Sequence, residues 1–140
     1  MDKLVFEEQS ARIEAMVEEA ATFMDMAGQW EFDHVMCEWD PHDQEGSDIP
    51  TVYTTAAKTT AQWQYKRAQI DWYVGRIATL SDERLMAVIV HELVHCLLNS
   101  LDRWINDDAD DSYHELNEYT CEMIARAILV ANGRSPVASG

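Results

Sequence analysis

A chain of 140 residues, 47% of them hydrophobic, supports one domain with a moderate core, and no repeat or linker divides it. Its formal charge of −16, from 26 acidic against 10 basic residues, repels nucleic-acid phosphates and anionic membranes, so neither is an expected partner. Three cysteines, Cys37, Cys96 and Cys121, make an odd count with no paired spacing. They form no disulfide framework and fit a reducing compartment. The N-terminus lacks a basic and then apolar leader pattern, and no run of about 20 apolar residues is present to span a membrane, so the expected location is cytoplasmic. The acidic balance reads first as solubility, with a basic protein partner or a high-salt environment as the other meanings composition allows.

Residues 5 to 27 read as a helix, because Val5, Ile13, Met16, Val17, Ala20, Phe23 and Met24 recur near a 3.6-residue period, and Gly28 supplies a stop. Residues 29 to 39 alternate, with Trp30, Phe32, His34 and Met36 set against Glu31, Asp33 and Val35, which predicts a strand. Residues 40 to 50 have loop chemistry, with Pro41, Gly46 and Pro50 among acidic residues. His34, Cys37 and His42 have loose ligand spacing, but they straddle a strand and this loop, so they read as incidental. From 51 to 74, alternation through Ala61, Trp63 and Tyr65, and again through Ala68, Ile70 and Trp72, predicts two strands. They meet at Lys66-Arg67, a poor tight-turn pair. A connector around Gly75 follows.

Residues 82 to 101 predict a helix apolar nearly all round, and hence buried, with Ser81 as its N-cap. Its only strongly polar central side chains are His91, Glu92 and His95, in the pattern H-E-x-x-H. Histidines four apart share a helix face and can reach one metal ion, and the glutamate beside the first can take a proton from water activated there. Buried without a metal or close partners, these three side chains would be costly.

Catalytic zinc usually has three protein ligands and an open position. The H-E-x-x-H-x-x-G-x-x-H continuation fails, since Leu98 and Leu101 stand where its glycine and third histidine belong. Residues 102 to 114 read as a solvated acidic loop, lacking the glycine and terminal glutamate of a calcium loop. A final helix from 115 to 132, stopped by Asn132-Gly133, offers Glu115, Glu118 and Glu122 on one face as alternative third ligands. The tail, 134 to 140, reads as frayed. Together these elements predict an α+β domain with a small mixed or antiparallel sheet packed against the motif helix.

Asn117-Glu118-Tyr119-Thr120-Cys121-Glu122 resembles the N-E-x-x-x-D ligand helix of thermolysin-like gluzincins, with Glu122 in place of the aspartate. Glu118-x-x-Cys121-x-x-Ile124-Ala125 is similar to the E-x-x-A-x-x-F-A helix of ImmA/IrrE-type metallopeptidases. The overall layout looks like the minimal gluzincins often encoded by phages and prophages. The resemblance implies a zincin-like fold, Zn2+ as cofactor, Glu118 as third ligand and Glu122 as the group supporting a ligand histidine. It further implies hydrolysis of a protein or peptide substrate, with Glu92 as general base. His114 and Tyr113, just before the ligand helix, are expected oxyanion helpers, as are Tyr119 and Arg126. A strand near Ala61 to Tyr65 or Ala68 to Tyr73 is the expected edge for an extended peptide. The rival expectation is a binding or anti-host protein with an acidic surface and a structural zinc.

Overall fold

In the computed structural model, residues 1–41, 55–102 and 111–136 are described. Helix α1 (Lys3–Phe23) begins at Asp2, whose carboxylate accepts from the Leu4 N–H at 2.7 Å, the usual N-cap contact. It buries Ile13, Val17, Ala20 and Ala21. It ends well before Gly28. The Met26 N–H returns to the Ala21 carbonyl and the Asp25 N–H to Thr22, with Asp25 left-handed at φ 58°. That is a Schellman stop built on an aspartate, a residue that tolerates this conformation. Gly28, at φ 79°, instead turns the chain into the first strand.

Three strands follow: β1 (Glu31–Cys37), β2 (Ala57–Gln62) and β3 (Arg67–Tyr73). Their order is β1-β3-β2, with β1 parallel and β2 antiparallel to the central β3, so the sheet is mixed and the fold is α+β. Ala68, Ile70 and Trp72 of β3 are buried, while Arg67, Gln69 and Asp71 alternate away from the core. The β2–β3 connection departs from the alternation read in the sequence. Trp63–Tyr65 form a single 3-10 turn and Lys66 is left-handed at φ 49°, with Tyr65 76% exposed. The expected loop at 40 to 50 lies outside the described residues beyond Pro41.

The connector at Gly75 is a short helix, α2 (Val74–Ile77). A side chain at Gly75 would meet the Trp39 ring at 2.6 Å, so only glycine lets that indole lie against the backbone. Helix α3 (Asp82–Asp102) is capped by Ser81, whose Oγ accepts from the Arg84 N–H at 3.2 Å. Leu85 through Val94 are all buried, but Leu97 and Leu101 are 44% and 55% exposed, so the all-round burial expected of this helix stops after Val94, with Cys96 still buried. By length and composition α3 is long and apolar enough to cross a membrane, contrary to the reading of the bare sequence. Here it is the core helix, packed by α1, β2 and the last helix.

That last helix, α4 (Asp111–Ala131), starts four residues earlier than its apolar periodicity suggests. Acidic and hydroxyl residues suit a first helical turn as well as a loop. Tyr113 and His114 are therefore helical rather than in a loop, and residues 103–110 of the expected acidic loop lie outside the described residues. Gly133, at φ 69°, closes α4 with the Arg134 N–H bonded to the Leu129 carbonyl. Arg134 is not frayed: it pairs with Glu19 and lies 4.9 Å over the Phe23 ring. Residues 137–140 of the tail lie outside the described residues.

Arg12 ties α1 to the start of α3. Its guanidinium donates to the Leu80 carbonyl at 2.9 Å and to the Asp82 carboxylate at 2.7 Å. Arg12→Ala strands that carbonyl and removes a charge-assisted bond, so it should cost about 1–2 kcal/mol of stability, read as a lower midpoint in urea unfolding.

Candidate metal centre

The one-face spacing of His91 and His95 on α3 brings their Nε2 atoms to 3.1 Å. Packed on α3, α4 presents Asn117, Glu118, Cys121 and Glu122, which lie on two adjoining rows of its surface. The two oxygens of Glu118 split between the histidines. Oε2 lies 3.0 Å from His91 Nε2 and Oε1 2.9 Å from His95 Nε2. Glu122 Oε2 takes the other nitrogen of His91, Nδ1, at 3.0 Å. The remaining nitrogen of His95 lies 3.3 Å from the Cys121 sulfur. On the opposite side, Thr59 of β2 donates its hydroxyl to Glu92 Oε2 at 2.6 Å.

These contacts have a simple electrostatic reading. A neutral His91 donating from Nδ1 to Glu122 has a bare Nε2, which faces a carboxylate oxygen and a second imidazole nitrogen. Acceptors brought this close need a cation among them, either protons or a metal ion. Among the described residues, His91, His95 and Glu118 are the group whose ligand atoms could hold a metal ion. His91 is buried, His95 half-buried and the glutamate open to the cleft.

The ionisation of the group follows. Burial works against a charged His95, but the contacts from Cys121 and Glu118 and the charge of Glu92 win, holding its pKa up at about 10. His91 is raised in the same way, with burial opposed chiefly by Glu118 and Glu92. Glu118 is held well below the usual carboxylate range by the two histidines. Glu92 is pushed up, because its burial outweighs the Thr59 hydroxyl and the two imidazoles.

Glu92, His95 and Glu118 open on a cleft of about 600 Å³, walled by Ala57, Lys58, Thr59 and Ala61 of β2 and by Asn99, His114 and Asn117. Of the other residues singled out in the sequence, His114 reaches this cleft. Tyr113 does not line it, and its ring stands edge-on to that of His114 with centroids 5.6 Å apart. Glu115, Tyr119 and Arg126 are exposed on α4 and outside the metal-competent group. His34 accepts the Trp72 indole N–H at 3.0 Å, which gives that histidine a packing role, and His42 lies outside the described residues. Thr59, Asn99, Asn117 and Cys121 were not singled out as site residues. Only Asn117 and Cys121 carried a signal: they adjoin Glu118 and Glu122 in the sequence and lie one turn apart, at i and i+4, on the same helix. No family model matches the chain, and neither a curated protein nor a solved structure does.

In the metal-free protein the His95–Glu118 contact should tune stability with pH. The raised pKa of His95 gives a contribution fully present below about 6.5 and lost as pH rises through about 10. The lowered pKa of Glu118 gives one present above about 4.5 and lost on acidification. Thermal unfolding of chelator-treated protein should therefore show its midpoint falling from pH 6.5 toward 10. Glu118→Gln should flatten that slope.

Proposed function

We propose that the chain is a zinc-dependent metallopeptidase of the gluzincin type, cleaving a peptide bond with Glu92 as general base. The observation that carries the reading is a buried carboxylate, Glu92, held beside a metal-competent His91–His95–Glu118 group on an open cleft. Two imidazoles and one carboxylate are a ligand set for catalytic zinc, with a fourth position left to solvent or substrate. Ligand atoms about 2.0–2.1 Å from one tetrahedral centre lie about 3.3 Å apart, and the observed separations of 2.9–3.1 Å are close to that.

His91, His95 and Glu118 would hold the ion, whose Lewis acidity would polarise a carbonyl and acidify water. The chain's own residues supply the rest. Burial raises the Glu92 pKa above the usual carboxylate range, the direction that strengthens a base. The Thr59 hydroxyl occupies Oε2 and leaves Oε1 to accept the proton of the attacking water. Glu92 then passes that proton to the leaving amine. His114 lines the cleft, and on this reading it is the donor for a developing oxyanion.

The sheet supports an extended substrate. The Tyr73 N–H bonds to the Ala56 carbonyl, which fixes the phase of the antiparallel ladder. Ala57, Thr59 and Ala61 therefore turn their backbone groups outward from β3, along the cleft-side edge of β2. A peptide strand can add to that edge by main-chain bonding. This edge belongs to the strand before the 3-10 turn, so the Trp63 and Tyr65 side chains are not part of it. A purely structural ion would have no use for a buried base beside it.

Glu118→Gln should bind zinc at strongly substoichiometric levels by metal analysis. Glu92→Gln should keep its zinc yet lose peptide cleavage by about 10²–10⁴-fold, seen by comparing cleavage of a cell proteome with the wild type. Equal cleavage by Glu92→Gln would sink the assignment. Zinc binding without any wild-type cleavage would make the ion structural. Thr59→Val tests the base separately. Losing a bond that lowers the Glu92 pKa should move the acid limb of the rate profile to higher pH, because activity needs the ionised carboxylate.

A further inference from the structure

We infer that Cys121 is a positioning residue for the second imidazole, holding His95 by Nδ1 as Glu122 holds His91. The inference rests on the metal-centre part of the proposed function and is independent of peptide hydrolysis. Its basis is a chain of contacts that assigns each proton. Cys121 is fully buried, and its sulfur has two polar neighbours: His95 Nδ1 at 3.3 Å and Asn117 Oδ1 at 3.8 Å. The amide oxygen of Asn117 can only accept, so the thiol proton points toward it. The sulfur is then left to accept, and His95 must donate from Nδ1. That tautomer bares His95 Nε2 toward Glu118 and His91, the orientation a shared ion requires.

Cys121 is not itself in the ligand group. Among the described residues that group is His91, His95 and Glu118, and the sulfur stands behind the His95 ring, at the nitrogen remote from the other two. The choice of a thiol also has an electrostatic reason. Glu92, Glu118 and Glu122 already place three carboxylates around two imidazoles. A thiol fixes the second ring without bringing a further carboxylate into a half-buried cluster, where uncompensated charge is expensive. One face of α4 thereby delivers a ligand, Glu118, and the orienting group of each histidine. Docking α4 on α3 brings these groups together. Groups that orient metal-bound histidines typically account for 10–100-fold in affinity.

The test uses the full chain with Zn2+ or Co2+ as the only added ligand. In competition with a chromogenic chelator, Cys121→Ala should bind zinc about 10–100-fold more weakly than wild type. Cys121→Ser, which keeps a donor and acceptor, should recover part of that loss. The cobalt-loaded wild type should show a visible spectrum without a thiolate charge-transfer band, and Cys121→Ala should shift its ligand-field bands. Should Cys121→Ala not fold, nitrogen NMR of the zinc-loaded wild type decides, with the His95 proton expected on Nδ1.

Unchanged zinc affinity and cobalt spectrum in Cys121→Ala would overturn the inference. So would serine performing no better than alanine, or zinc attached to His95 through Nδ1. A thiolate charge-transfer band lost in Cys121→Ala would overturn it too, by making the cysteine a ligand. Failure of the wild type to bind either metal would remove the metal centre and the inference together. Ordered affinities with no peptide cleavage would sink the peptidase and support the inference.

Discussion

The structure depends on one constraint: α3 carries two histidines and a glutamate along a helix that the core cannot do without. Leu85 through Val94 are buried, so His91 and Glu92 are carried inside with them. Each polar group buried without a partner costs about 1–3 kcal/mol, and more if charged. A domain of this size has only about 5–15 kcal/mol of net stability. The partners therefore have to come from elsewhere in the chain. α4 supplies Glu118, Cys121 and Glu122, and β2 supplies Thr59. No buried side-chain polar atom among the described residues is left without a partner. Satisfying the core and building the site are the same task in this fold.

The sheet order follows the same logic. With β3 in the centre, its Ala68, Ile70 and Trp72 join the buried core. β2 is left as the edge strand over the motif, and its small side chains, Ala57, Thr59 and Ala61, leave room for a cleft. A bulky strand there would have filled it. Arg12 and Arg134 secure the far side, fastening α1 to the start of α3 and to the end of α4.

Local signals in the sequence were legible where one residue type has one physical use. Ser81 caps α3, Gly133 closes α4, and the β1 and β3 alternation reads directly as strands. Misreadings arose where two residues could serve the same end. Gly28 looked like the stop of α1, yet Asp25 takes the left-handed position three residues sooner because Met26, once turned in, is almost wholly buried. Trp63 and Tyr65 alternate like a strand but sit in a tight turn, since the chain must reverse to pair β2 with β3. Acidic residues ahead of α4 fit a loop or a first turn equally, and helix won. Arg134 looked like a loose end, because the glutamate that fixes it is more than a hundred residues away in sequence.

The sequence by itself determined the α3 half of the centre. The four-residue spacing of His91 and His95 and the adjacency of Glu92 are properties of a single helix, settled by its 3.6-residue period wherever that helix sits. Glu118 and Glu122 could be nominated by helical spacing too, but spacing cannot choose among Glu115, Glu118 and Glu122, which share a face. Only the tertiary structure made that choice, because it depends on how α4 is rotated and slid against α3. The same docking brought Cys121 behind His95, and the sheet order brought Thr59 over Glu92. Such contacts span 26 and 33 residues of chain, and periodicity carries no information across that distance.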